Sequence, residues 1–108
     1  MPRRKAKTDD NQKAIVDTFR SMGISTAITS NAGDGFTDLV IGYGGLTVLV
    51  EVKDGNKPPS AQKLTPDQQK FHGSFLGAIT TINSVDKAIL LGNRLRTLAA
   101  HVNADWNV

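Results

Sequence analysis

Apolar positions recur at helical spacing near the start of the chain. Ile15, Val16, Phe19 and Met22 fall on one stripe, and Gly23 follows where a helix-closing glycine belongs, so residues 9–22 are predicted to form a helix. Asp9 or Asp10 suits its N-cap. Residues 24–29 alternate weakly and read as a first strand, and the run Asn31-Ala32-Gly33-Asp34-Gly35 follows as a turn-rich loop. The strongest strand patterns come next, at residues 37–41 and 46–53, with Gly42-Tyr43-Gly44-Gly45 between them as a hairpin turn. Residues 54–63 are polar, carry Pro58-Pro59, and form a loop with room to face a substrate. A second helix opens at Thr65-Pro66-Asp67-Gln68, where Thr65 is the N-cap, Pro66 suits the first helical position and Gln68 completes a capping box. Residues 78–82 are a short strand. Ser84-Val85-Asp86 starts a third helix running to about Leu91, and Asn93 to about Val102 is a candidate fourth. The order α-β-β-β-α-β-α places the chain in the α/β class, with helices covering a mixed (α+β) sheet of about four strands.

Composition narrows the chemistry. The 108 residues suffice for one domain with one core, and 39% hydrophobic with 21% charged residues is ordinary for a globular protein. The absence of cysteine excludes disulfides, thiolate zinc sites and a cysteine nucleophile. The start Arg3-Arg4-Lys5-Ala6-Lys7 runs into Thr8-Asp9-Asp10 rather than an apolar stretch, so no signal peptide is expected, and no apolar run is long enough to span a membrane. The net charge is +3, but four of the 13 basic residues lie in the first seven positions, and the remainder carries nine basic against ten acidic residues. Residues 1–8 therefore read as a basic, flexible arm on a single domain of residues 9–108, and Arg3, Arg4 and Lys5 suit nucleic-acid phosphates. A solvated terminus accounts for the same charges equally well.

Glu51 is the only glutamate, and it stands inside an otherwise apolar strand. Alternation sends Val48, Val50 and Val52 to one face and Leu49, Glu51 and Lys53 to the other. If the two strands fold back about the glycine turn, Asp38 arrives near the same end of the sheet as Glu51. Two carboxylates meeting there repel unless a proton or cation lies between them, and hard cations such as Mg²⁺ bind such oxygen ligands. A carboxylate pair with a lysine is what metal-assisted phosphodiester hydrolysis needs, and the main-chain carbonyl of Val52, between Glu51 and Lys53, is a further candidate ligand. An exposed charge pair explains any one of these residues; the three together on consecutive strands favour a site.

The segment Gly35-Phe36-Thr37-Asp38, followed after about a dozen residues by Glu51-Val52-Lys53, resembles the signature of the PD-(D/E)XK nucleases, whose core is that of the restriction endonucleases. More closely, Val50 to Gly55, Lys57-Pro58-Pro59-Ser60, and Leu64-Thr65-Pro66-Asp67-Gln68 through Phe71-His72 are similar to the virus-type replication-repair (VRR-Nuc) nucleases, above all their small stand-alone phage members, which resemble Holliday-junction resolvases. The likeness runs to about Leu91. It implies a homodimeric endonuclease dependent on Mg²⁺ or Mn²⁺ and acting on branched or junction DNA in the cytoplasm of a bacterial or phage-infected cell. Asp38 and Glu51 would be its metal ligands and Lys53 its catalytic lysine. Two departures stand out: Thr37 replaces the proline before the aspartate, and Gln12 replaces a glutamate often found on the first helix. Gln12 is a candidate metal ligand without charge, so a second metal site is expected to be weak or absent; an exposed helix residue accounts for Gln12 equally well.

Other polar residues carry weaker signals. Gln68 and His72 lie four apart on one helix face and are candidate supporting groups, although the capping box accounts for Gln68 and edge packing for His72. Lys57, Lys63 and Lys70 are candidate DNA contacts beside the site. Asp34 reads as a turn residue, Asp54 as solvated, and Trp106 as packing in a dimer interface or on the core. A P-loop is absent. The rival to an endonuclease is a catalytically weak or inactive DNA-binding module on the same fold, with metal affinity lost through Gln12.

Overall fold

The computed structural model describes residues 11–102 and 105–108. The elements run α1 (Gln12–Ser21), β1 (Ser25–Ile28), β2 (Leu39–Tyr43), β3 (Leu46–Val52), α2 (Pro66–Ser74), β4 (Ile79–Ile82) and α3 (Val85–Ala99), with a short 3-10 turn at Pro59–Gln62. The strands form one mixed sheet in the order β1-β2-β3-β4. The first three are antiparallel and β4 lies parallel to β3, reached through the segment that carries α2. This is a mixed α+β arrangement of the kind the sequence pattern implies. No helix among the described residues is long and apolar enough to cross a membrane.

Alternation fixes which face of the sheet is the core. Leu39 and Ile41 of β2, Val50 and Val52 of β3 and Ile82 of β4 pack with Ile15, Val16 and Phe19 of α1 and with Ala88 and Leu95 of α3. Burying each such large apolar side chain stabilises by about 1.5–3 kcal/mol. A one-residue slip of β3 would drive Glu51 into this core in place of Val50 and Val52, so the apolar pattern itself holds Glu51 on the opposite face. That face receives α2 at its Glu51 end. Thr65 caps α2 in a reciprocal capping box with Gln68, as its sequence demands.

The hairpin between β2 and β3 is tighter than the four-residue turn expected. Tyr43 pairs with Leu46, and Gly44 and Gly45 alone make the turn, with φ of 59° and 84°. Two successive positive φ values give the twist that suits a two-residue hairpin, and glycine adopts them without a Cβ penalty.

Four further expectations change. The strand expected at 37–41 starts at Leu39: the Thr37 hydroxyl donates to the Leu39 carbonyl at 3.1 Å, and the Asp38 side chain replaces the backbone as partner of β3. The third and candidate fourth helices are one, Val85–Ala99, because Gly92 lies inside it and not at a break. A Cβ at Gly92 would stand 2.6 Å from the Met22 methyl and 3.0 Å from Ile24 Cδ1, so the glycine serves the close approach of α3 to the chain around α1. Of the two placements expected for Trp106, the one on the core is not found: it is 73% exposed and donates from Nε1 to the Gly45 carbonyl at 3.0 Å, against the hairpin turn. Asp54 is 7% exposed instead of solvated, and its carboxylate accepts the Asn56 amide at 2.9 Å. The expected caps Asp9 and Asp10 and the arm of residues 1–8 lie outside the described residues; Asn11 occupies the N-cap of α1.

Candidate active site

The open end of the β2–β3 hairpin brings the three central residues together. Leu39 pairs with Val50, so one step further along the antiparallel register Asp38 stands across from Glu51. Cross-strand neighbours of this kind share a face. At this point β2 has ended, and Asp38 Oδ2 accepts the Val52 amide at 2.9 Å in place of a strand carbonyl. The Val52 carbonyl shares the edge of β3 from which that amide points, since one residue exchanges both of its bonds with the same neighbour.

Glu51 is 2% exposed. A buried carboxylate persists only with charge or hydrogen-bond compensation. Gln68 Nε2 donates to Glu51 Oε2 at 3.2 Å, and Lys53 Nζ lies 3.9 Å from the same oxygen. Lys53 is 9% exposed and donates from Nζ to Gln68 Oε1 at 3.0 Å. Its strand end is pinned twice: the Lys53 amide donates to Ile82, and the Lys53 carbonyl accepts from Asn11 Nδ2 at 3.0 Å, which also donates to the Asn83 carbonyl. Gln68 therefore serves both readings of it. The oxygen that closes the capping box by accepting the Thr65 amide at 2.9 Å also receives Lys53, while its amide nitrogen reaches Glu51.

Gln68 is held over the sheet by Gly35. At φ 79°, and with a Cβ that would collide with the Asp67 carbonyl, position 35 admits only glycine if the loop is to lie against the start of α2. Behind it Phe36, Phe71 and Phe75 stack at ring separations of 5.4 and 5.5 Å.

Gln12 is 7% exposed and turns toward the same corner. Its Nε2 donates to Ser30 Oγ at 3.0 Å, and Ser30 Oγ lies 3.5 Å from the Asp38 carbonyl oxygen. His72 is half-buried on the Gln68 side of α2, and its Nε2 is buried without a hydrogen-bond partner. Burial lowers its pKa below the usual histidine value, and the Lys53 charge lowers it further. Lys70, two positions from Gln68, projects from the other side of α2 and is exposed. Lys63 is exposed after the 3-10 turn and Lys57 is half-buried in the loop. Arg3, Arg4 and Lys5 lie outside the described residues.

Among the described residues, no three of His, Cys, Asp and Glu gather as a metal cage. The corner instead offers two carboxylates on facing strands, the Val52 carbonyl beside them and a neutral amide at Gln12. An all-oxygen set with two negative charges fits one hard divalent ion that keeps several waters. Asn11, Ser30 and Lys87 belong to this end of the sheet without having carried a sequence signal: each has the type of an ordinary cap, turn or helix residue, and only the strand pairing brings them in. Compared with protein-family models, curated proteins and solved structures, the chain matches none.

Proposed function

We propose that the protein is a metal-dependent endodeoxyribonuclease, in line with its resemblance to the VRR-Nuc nucleases within the PD-(D/E)XK group. The observation that carries the reading is the placement of Asp38 across from a buried Glu51, with Lys53 and Glu51 joined through Gln68. Asp38, Glu51 and the Val52 carbonyl would hold one Mg²⁺ or Mn²⁺. Such an ion, when bound, polarises a phosphate oxygen and lowers the pKa of an attacking water. Lys53 is aimed by Gln68 and supplies a fixed positive charge to the phosphate as negative charge builds on it. Low exposure around Glu51 and Lys53 keeps water away from these charges, which strengthens their action. Branched DNA is the proposed substrate, and a two-fold dimer, with two sites for a four-way junction, is the proposed assembly.

A panel of four-way junction, flap and linear duplex incubated with Mg²⁺ or Mn²⁺ tests the reading. Branched substrates should be cut, and Asp38→Asn and Lys53→Ala should each abolish most cutting. Equal cutting by both variants and the parent contradicts these roles. One observation favours a second reading, a DNA-binding module without catalysis: Gln12 brings an amide, already bonded to Ser30, where the resemblance has a glutamate. That reading requires salt-sensitive DNA binding with no cleavage in either metal.

A further inference from the structure

Beyond Lys53 lies a second polar recess. A cavity of about 250 Å³ is lined by Lys53, Gln62, Thr81, Ile82, Asn83 and Lys87. It sits past the carboxyl ends of the parallel strands β3 and β4, where Glu51 pairs with Thr81 and Val52 with Ile82. Crevices outside the carboxyl ends of such strands are common ligand positions in open α/β sheets. Its wall is built. Asn83 Nδ2 donates to Gln62 Oε1 at 3.0 Å, Gln62 Nε2 donates to the Lys57 carbonyl at 2.7 Å, and the Gly55 amide donates to the Asn83 carbonyl at 3.0 Å, so the loop after β3 is fastened across the end of β4.

The lining has a definite sign. Its lining residues include Lys53, Lys87 and Thr81 and no aspartate or glutamate; the Lys53 ammonium is engaged by Gln68 and Glu51 on the active-site side, which leaves the Lys87 ammonium as the cation the recess can present to an anion. Asp86 is on the same turn of α3 but outside the lining. Lys87 follows from the chain's geometry: Ser84 caps α3 by accepting the Lys87 amide at 3.1 Å, which fixes that first turn at the mouth of the recess. The recess and the candidate active site share Lys53 as their common wall.

We propose that this recess binds a phosphate group, and that the group is the backbone phosphate next to the one cleaved. The proposal rests on the nuclease reading for its source of phosphate, but the chemistry of the recess stands apart from it. Lys87 is then a DNA-positioning residue, and Lys53 lies between two consecutive phosphates. A free phosphate ion shares this chemistry, so two measurements separate the sources. In the first, inorganic phosphate is titrated while the side-chain amide NMR signals of Gln62 and Asn83 are followed in the parent and in Lys87→Gln. In the second, the salt dependence of binding to a labelled four-way junction is measured with Ca²⁺ in place of Mg²⁺, for the parent, Lys87→Gln and the charge-matched control Arg96→Gln.

The expected result is saturable shifts in the parent that Lys87→Gln loses. The slope of log affinity against log salt should fall by about one in Lys87→Gln, as for the loss of one phosphate contact, and stay unchanged in Arg96→Gln. Phosphate shifts with an unchanged slope would overturn the DNA assignment in favour of a free anion. No shift and no change of slope would overturn the recess as a phosphate site altogether. Cleavage by the parent is scored separately: a protein that never cuts but shows the slope change fails as a nuclease while keeping this subsite.

Discussion

Gln68 shows how much a single side chain can be asked to do. Its oxygen receives the Thr65 amide and Lys53, and its nitrogen reaches Glu51. Replacing it with alanine removes half of the capping box and takes a donor from a buried carboxylate. Gln68→Ala should therefore lower stability by about 1–3 kcal/mol in urea denaturation and also weaken cleavage, because Lys53 loses its tether. A loss of stability with full cleavage would show that the Lys53 contact does not matter to the chemistry. The capping box made Gln68 legible in the sequence as structure; its second role was hidden, since residue spacing says nothing about what lies under a helix. His72 makes a testable statement about pH. Its folded pKa lies below the unfolded value of about 6.5, so the unfolded chain binds the proton first. Stability should be complete above that value and fall as pH drops through the window down to the folded pKa. His72→Gln lacks this loss, so the stability difference between parent and variant should shift against the parent between pH 7.5 and pH 5. A constant difference across that range would remove the buried imidazole from the account.

At the scale of elements, turn and capping chemistry were readable and boundaries set by tertiary contact were not. The β2–β3 hairpin, the Thr65 cap and the Ser84 start of α3 follow from local residue types. The join of two expected helices at Gly92 does not, because a glycine in mid-helix looks like an ending until Met22 and Ile24 are seen against it. Nor does the late start of β2, which depends on a side chain, Asp38, finishing a ladder on another strand. Gly35 tests how the loop supports the site. Gly35→Ala would meet both an unfavourable φ and the Asp67 carbonyl, so a destabilisation of more than about 1 kcal/mol is expected, together with reduced cleavage as α2 lifts from Glu51. Parent-like stability in urea denaturation would mean that the loop does not bear on α2.

Over the whole molecule, the apolar pattern decided the architecture and the polar pattern marked one end of it. Helices α1 and α3 cover one face, and the opposite face keeps Glu51 and Lys53 because β3 cannot slip without burying them in the core. The convergence of Asp38 with Glu51 was legible from the two strand patterns and the glycine turn. The recess at Lys87 was not, since it depends on the parallel pairing of β4 with β3, to which residue spacing is blind. The proposed chemistry requires a divalent ion between the two carboxylates, and Mn²⁺ uptake measured by titration calorimetry tests that without reference to any substrate. One saturable site per chain is expected in the parent, with binding lost or severely weakened in folded Asp38→Asn and Glu51→Gln. A parent that takes up no Mn²⁺, or variants that bind it as the parent does, would contradict the account.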